Sequence, residues 1–201
     1  AVMCLLGDGT TNIGAFHESL NLAGIWDLPI VYVIVNNRLG MGTTVDAASA
    51  EPDLYKRGSA YRIEGVRVDG DDPVVVRDAA RAALKTAREE RRPFLLELMS
   101  YRLKGHSVVD PSRYRSKEDT EEAKSNDPVP AFRARLIADG VLTEEDADAI
   151  DEKADTIVTE AVAFADESPD PDVDELFAGV YATPVANAPA QFPGQPLMVV
   201  S

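Results

Sequence analysis

The sequence predicts an α/β fold with a parallel sheet, and three observations indicate it. Short continuous apolar runs recur along the first hundred residues, as expected for strands buried on both faces. Segments with apolar residues at helical spacing separate these runs. The chain has 201 residues and is 45% hydrophobic, which is enough for one domain with a buried core and an appendage. Strands and helices that alternate in this way are typical of parallel α/β sheets.

The first predicted strand is the apolar run Val2–Leu6, which ends in Gly7-Asp8-Gly9. Apolar residues then recur at helical spacing over residues 12–26, and they predict an amphipathic helix. Polar residues that could cap this helix stand just before it, namely Thr10, Thr11 and Asn12.

Three further strands and a helix complete the predicted sheet. Pro29 ends the first helix, and Asp72-Pro73 is a favourable start for the second, because a capping residue precedes Pro at the first helical position. The remaining predicted strands are residues 30–35, 62–68 and 94–99.

The charge is distributed unevenly along the chain. Residues 1–116 contain 15 Lys/Arg and 15 Asp/Glu, whereas residues 117–201 contain 5 and 20, so the second part holds the whole net charge of −15. Thr143-Glu144-Glu145-Asp146 resembles a capping box, and apolar residues at helical spacing follow as far as Phe164. We therefore predict an α/β domain over 1–120, an acidic helical extension over 121–181 and a Pro-rich tail over 182–201.

Composition also excludes several classes of protein. A net charge of −15 with a pI of about 4.5 argues against a general nucleic-acid binder, which needs a basic face. The longest apolar runs are far below the ~20 residues of a membrane helix, so we expect no membrane association. The single cysteine, Cys4, cannot form an intrachain disulfide, and we expect it to be inert within a core strand. The chain begins within a predicted strand and without Met, so we expect a protein that lacks its N-terminal portion.

Polar residues follow two consecutive strands of the predicted sheet. Asp8 comes directly after the first strand, and Asn37 follows the second. Because the carboxyl ends of parallel strands meet at one edge, the two side chains could lie together. Carboxylate and carboxamide oxygens suit Mg²⁺, which commonly shares its ligands with phosphates, and flanking glycines allow a bulky anion to approach. The sequence therefore predicts a diphosphate–Mg²⁺ site, with ordinary Asp-Gly and Asn-Asn turns as the alternative.

The same residues resemble a known family. Residues 7–29 (GDGTTNIGAFHESLNLAGIWDLP) and 36–43 (NNRLGMGT) are similar to the α subunits of the decarboxylating component of pyruvate dehydrogenase complexes. These are thiamine-diphosphate-dependent 2-oxo acid dehydrogenases. Further matching residues are Tyr101-Arg102, Gly105-His106-Ser107, Asp110-Pro111 and Tyr114-Arg115. The resemblance runs to about residue 181 and implies the C-terminal portion of a thiamine-diphosphate-binding fold.

The resemblance implies a role for each matching residue. Asp8 and Asn37 would bind Mg²⁺ through their side chains, and Leu39 through its backbone carbonyl, where the family often has Tyr. Gly9 and Thr10 would contact the diphosphate through backbone N–H groups.

A basic loop provides the rest of the implied site. Arg102 and His106 would contact the cofactor from a loop that closes over it, and His106 is the implied catalytic residue. Residues 101–116 hold four cations against one acid, which suits an anionic ligand, although a solvated charged loop is the alternative. Ser107 stands where some relatives are phosphorylated. We expect the other histidine, His17, to serve packing or a subunit contact.

The resemblance also implies an activity and partners. The reaction would be oxidative decarboxylation of pyruvate with transfer of the acetyl unit to a lipoyl group. The partners would be a β subunit (two α with two β), the lipoyl acyltransferase and the 2-oxo acid substrate. The family's activating glutamate belongs to the β subunit, so we expect this chain alone to be inactive. We expect it in a bacterial cytoplasm, or in the mitochondrial matrix if the source is eukaryotic. The alternatives are acetoin or a branched-chain 2-oxo acid as substrate, or a non-catalytic assembly module.

Overall fold

Four parallel strands form the central sheet. The computed structural model describes residues 1–173 and residue 175. The strands lie in the spatial order β1-β2-β6-β5, and every neighbouring pair is parallel. A short antiparallel hairpin, β3 with β4, follows β2. The strands are β1 (Val2–Gly7), β2 (Ile30–Asn36), β3 (Leu39–Gly40), β4 (Thr43–Thr44), β5 (Glu64–Asp69) and β6 (Phe94–Met99). The prediction of a parallel α/β fold is confirmed.

Six α-helices accompany the strands in the described part of the chain. Two short 3-10 helices, Asp8–Asn12 and Leu54–Tyr61, also matter for the site, and we call the second one the connector helix. A π-helical turn over Thr86–Glu90 extends α3. The α-helices are α1 (Gly14–Ile25), α2 (Val45–Ala48), α3 (Pro73–Lys85), α4 (Lys117–Ser125), α5 (Pro128–Ala138) and α6 (Glu144–Glu167).

The core lies on both faces of the two inner strands, β2 and β6. On one face, Ile34 and Leu95 pack with Leu20 of α1. On the other face, the alternate residues of the same strands pack against α3. Since successive side chains of a strand point to opposite faces, this explains why residues 30–35 are apolar throughout and why residues 94–99 are apolar except for Glu97. The prediction that they are buried on both faces is confirmed.

The first strand is present as predicted, but the described residues do not bury it as predicted. β1 is an edge strand that pairs only with β2, and its Val2 and Leu5 side chains are 59% and 69% exposed. Cys4 is also exposed. An apolar run reveals the propensity to form a strand, but it does not reveal whether another element covers that strand.

The predicted caps of α1 are also not observed. Ile13 occupies the N-cap position, and no side chain accepts a hydrogen bond from the first turn of α1. The polar residues before it form their own 3-10 turn, in which the Thr11 hydroxyl donates to the carbonyl oxygen of Asp8 at 2.7 Å. At α3, by contrast, Asp72 accepts from the N–H groups of Val74 and Val75, as predicted.

The chain divides into two compact units, residues 1–142 and a second unit from Thr143 onward. In the second unit, Thr143 and Asp146 form the predicted capping box at the start of α6. The apolar residues of α6 that we expected on one face include Ile157 and Phe164, and both are exposed. The proposed boundary at residue 120 stays a prediction, and the Pro-rich tail lies outside the described residues.

None of the helices in the described part of the chain has the length and hydropathy needed to cross a membrane.

Candidate functional site

The tips of β1 and β2 bring Asp8 and Asn37 together. The parallel register pairs Gly7 with Val35, so both strands end at the same edge of the sheet. The backbone N–H of Asn37 is near enough to the Asp8 carboxylate to stabilise its charged form. The structure thus brings the strand ends that carry Asp8 and Asn37 together at one edge of the sheet. That their side chains share one ion stays a prediction.

Asp8 is a buried carboxylate, with 4% of its surface exposed. Burial raises its pKa above the ordinary value of 3.8, because a charge loses hydration in the protein interior. Hydrogen bonds from backbone N–H groups and the positive charge of Arg102 oppose this rise without cancelling it. A further cation beside Asp8 would therefore be favoured electrostatically.

Gly9 and Thr10 lie on the exposed side of the turn that follows Asp8. In a 3-10 helix each N–H bonds to the carbonyl three residues earlier, so the first N–H groups have no partner within the turn. A Cβ added to Gly9 would stand 3.5 Å from the Cα of Gly40, an ordinary contact. The turn therefore packs closely on the β3–β4 hairpin, with backbone donors near its start.

The segment after β2 holds the other two predicted ligand oxygens, those of the Asn37 side chain and the Leu39 carbonyl. The Asn37 Oδ1 atom accepts from the N–H of Leu39 at 3.1 Å, which fixes the side chain over its own backbone turn. The carbonyl oxygen of Leu39 accepts from the Arg102 Nη1 atom at 3.3 Å. Two of the predicted metal ligands, Asn37 and the Leu39 carbonyl, thus lie in one turn after β2, and Asp8 follows the neighbouring strand.

Arg102 joins the loop after β6 to the β3–β4 hairpin. Its Nη2 atom donates to the Met41 carbonyl at 2.7 Å and to the Tyr114 hydroxyl at 2.8 Å. The His106 Nδ1 atom lies 3.4 Å from Arg102 Nη1, so the two predicted loop residues are adjacent. The Nε atom of Arg102 is buried without a hydrogen-bond partner. This guanidinium has unused donor capacity beside the proposed ligand set.

Asp110 organises the same loop. It accepts from the backbone N–H of His106 at 2.7 Å, from that of Ser112 at 2.9 Å and from the Tyr114 hydroxyl at 2.5 Å. These hydrogen bonds, the one from Tyr114 foremost, lower the pKa of Asp110 to about 2. A Cβ on Gly105 would stand 2.6 Å from the Asp110 carbonyl oxygen, so the loop needs glycine there. Ser107 in this loop is exposed.

A cavity of about 820 Å³ opens on the other side of Asn37. Asn37 and Leu39 line it together with Asp69 and Tyr114, whereas Asp8, Arg102 and His106 do not. The cavity therefore shares only part of its wall with the predicted ligand set.

His17 has the packing role expected of it. Its Nδ1 atom is 2.9 Å from the Tyr61 hydroxyl oxygen, and its ring lies edge-on to Phe16 at 5.3 Å between centroids.

Sequence reasoning missed a buried polar network beneath the strand tips. Glu97 of β6 has no exposed surface and accepts from Asn36 Nδ2 at 2.6 Å. It also accepts from Arg67 Nε at 3.0 Å and from the Tyr55 N–H at 2.9 Å. The sequence does contain a sign of this network, because one glutamate interrupts the apolar strand Phe94–Met99. A charge buried in a strand requires partners. Arg57, which contacts the turn after Asp8, belongs to no motif.

Comparisons with known proteins show the family. A family model described as "Dehydrogenase E1 component" matches residues 1–174. The chain is 40% identical over 179 residues to a protein of Rhizobium meliloti (strain 1021) named pyruvate dehydrogenase E1 component subunit alpha, covering 89% of the chain and 51% of the relative. It is 42% identical over 176 residues to the protein of that name in Rickettsia conorii, covering 88% and 54%.

A chloroplastic relative from Oryza sativa subsp. japonica, pyruvate dehydrogenase E1 component subunit alpha-3, is 39% identical over 182 residues, covering 90% of the chain and 43% of the relative. The chain thus spans about half the length of the curated relatives it matches.

Proposed function

The chain belongs to the dehydrogenase E1 component family, and from this premise we propose that it is part of the α subunit of a pyruvate dehydrogenase. With its partners, this protein would decarboxylate pyruvate oxidatively and transfer the acetyl unit to a lipoyl group. The names of the relatives support pyruvate as the substrate. The loop residues Gly105-His106-Ser107 and the segment Gly40-Met41-Gly42-Thr43 also favour pyruvate over branched-chain acids.

The main support for the proposal is the buried Asp8 carboxylate beside Asn37. Burial of an anion is costly unless a cation or hydrogen bonds compensate it. A divalent cation held by Asp8, Asn37 and the Leu39 carbonyl would supply that compensation. These are the hard oxygen ligands that Mg²⁺ prefers, and Mg²⁺ keeps further positions for phosphate oxygens. The donor set therefore fits a Mg²⁺-bound diphosphate.

The other residues of the site suit the anion. Gly9 and Thr10 would donate backbone N–H groups to the diphosphate, and Arg102 would donate from its guanidinium. His106, adjacent to Arg102, would hold a proton at the substrate or the phosphate and act as the catalytic residue of this chain. Thiamine diphosphate, when bound, supplies the electron sink that decarboxylation of a 2-oxo acid requires.

The proposed partners follow from the family. A β subunit, in an assembly of two α with two β, would supply the activating glutamate, and a lipoyl acyltransferase would accept the acetyl unit. We expect this chain alone to show no turnover of pyruvate with an artificial acceptor. Turnover by the isolated chain would contradict that expectation.

Calorimetry of the assembly with thiamine diphosphate and Mg²⁺ tests the cofactor proposal. We expect binding that is lost in Asp8→Ala and retained in Asp27→Ala, since Asp27 is exposed. Absence of binding would favour a non-catalytic assembly module. Turnover of pyruvate, acetoin and branched-chain 2-oxo acids by the complete complex would then identify the substrate, and a preference for either alternative would overturn the choice of pyruvate.

A further inference from the structure

We propose that Arg57 is a positioning residue that holds the turn of Asp8, Gly9 and Thr10 in place for the cofactor. This inference rests on the proposed function. Arg57 lies on the connector helix, 45 residues away in sequence from the turn's last residue, Asn12. No motif includes it, and it does not belong to the predicted ligand set.

Arg57 directs its guanidinium at the turn with three hydrogen bonds. Its Nη1 atom donates to the Thr11 carbonyl oxygen at 2.5 Å and to the Thr11 hydroxyl at 2.9 Å. Its Nη2 atom donates to the Asn12 Oδ1 atom at 3.0 Å. Arg presents several donors in a fixed planar fork, so this arrangement fixes the orientation of the turn as well as its position.

The Thr11 side chain links Arg57 to Asp8 through hydrogen bonds. Thr11 is fully buried, and its hydroxyl donates to the Asp8 carbonyl oxygen at 2.7 Å while it accepts from Arg57. A buried hydroxyl that both donates and accepts has no freedom to reorient without losing a bond. Asp8 is therefore held through its backbone carbonyl oxygen.

The other end of the connector helix is held by the second strand tip. The Tyr55 N–H donates to Glu97 Oε2 at 2.9 Å, and Glu97 Oε1 accepts from Asn36 Nδ2 at 2.6 Å. Asn36 precedes Asn37 directly. The connector helix is thus hydrogen-bonded both to the segment that holds Asp8 and, through Glu97, to the segment that holds Asn37. Arg57 completes the connection on the Asp8 side.

Two variants with one matched control test the inference. Arg57→Gln removes the charge and the fork, and Arg57→Lys keeps the charge but not the planar donors. Arg62→Gln is the control, because Arg62 follows the same helix and is exposed. Hydrogen exchange of the full chain reports on the turn without any cofactor. We expect protection of Thr11 and Asn12, whose N–H groups close the 3-10 turn of residues 8–12, to fall at least about tenfold in Arg57→Gln, less in Arg57→Lys, and not in the control, with β2 unchanged.

Cofactor affinity is the second measurement. In the assembly with the β subunit, we expect the Kd for Mg²⁺–thiamine diphosphate to rise about 10- to 100-fold in Arg57→Gln, with partial rescue by Lys and a smaller change in kcat at saturating cofactor.

Unchanged exchange at Thr11 and Asn12, or a loss of protection that extends equally to β2, would overturn the positioning role. Unchanged affinity would overturn its link to the cofactor. Lack of binding by the wild-type assembly would refute the proposed function and that link together, while the exchange result would still decide whether Arg57 holds the turn.

Discussion

Replacing Asp8 with Asn should make the cofactor-free chain more stable while abolishing cofactor binding. The Asp8 carboxylate is 4% exposed and its pKa is raised by burial, so at neutral pH the folded state holds a charge that is poorly compensated. Asn has nearly the same shape, bears no charge and retains an acceptor for the Asn37 N–H. We expect a gain of about 1 kcal/mol in the free energy of unfolding. For a chain of this size that corresponds to about 2–4 °C in Tm.

The pH dependence of this gain tests its electrostatic origin. Because the folded-state pKa of Asp8 lies above 3.8, ionisation at neutral pH costs folding free energy, and that cost disappears as the pH falls through the raised pKa. Below its ordinary pKa of 3.8 the carboxyl is protonated in both the folded and the unfolded state, so wild type and Asp8→Asn should converge.

Thermal unfolding of the full chain, followed by circular dichroism between pH 4 and pH 8, measures the effect. The control is Asp27→Asn, an exposed aspartate after α1, which should change stability by less than about 0.5 kcal/mol. Cofactor at about 100 times its Kd should stabilise the wild-type assembly by about 2.7 kcal/mol and Asp8→Asn not at all. A variant less stable than wild type at pH 7, or an advantage that does not shrink at acid pH, would refute the reasoning.

Three other changes have distinct expected results. In Asp110→Asn, the amides of the loop over 101–115 should exchange faster than in wild type at neutral pH. The wild-type loop should lose protection only as the pH falls from 3.8 towards about 2, where Asp110 is protonated. Equal exchange in variant and wild type at neutral pH would contradict the role of Asp110 in organising the loop. Gly105→Ala should speed tryptic cleavage of that loop with little change in Tm, because the added Cβ would meet a carbonyl oxygen at 2.6 Å; equal cleavage rates would count against it. Glu97→Ala should cost about 3–5 kcal/mol in urea unfolding, since Arg67 then loses its buried partner, and a cost below about 1 kcal/mol would show that the network is dispensable.

The sequence allowed the sheet to be predicted because its inner strands have an unambiguous pattern. Residues 30–35, and residues 94–99 apart from Glu97, are apolar, and both strands are buried on both faces as expected. The run at Val2–Leu6 has the same pattern, yet it forms an exposed edge. The local pattern of apolar residues shows that a segment tends to form a strand, whereas its burial depends on which other segments cover it.

The candidate site was predictable only where its residues form a motif. Asp8 and Asn37 follow consecutive strands, so the parallel topology alone placed them at one edge. Arg57 and Glu97 act through side-chain contacts between segments 30 or more residues apart, and no spacing rule indicates such contacts. Thr11 is one of three residues, with Thr10 and Asn12, that the sequence offers as a cap for the following helix, but its hydroxyl bonds within its own turn. The direction of one hydroxyl is decided by tertiary packing.

The parallel alignment of β1 with β2, which pairs Gly7 with Val35, decides whether Asp8 and Asn37 can share one ion. A slip of one residue would shift Asp8 by about 3.3 Å along β2, more than the whole length of a Mg²⁺–oxygen bond, about 2.1 Å. Only one of the possible alignments of β1 can therefore hold an ion between Asp8 and Asn37, so ion affinity would report directly on correct strand alignment.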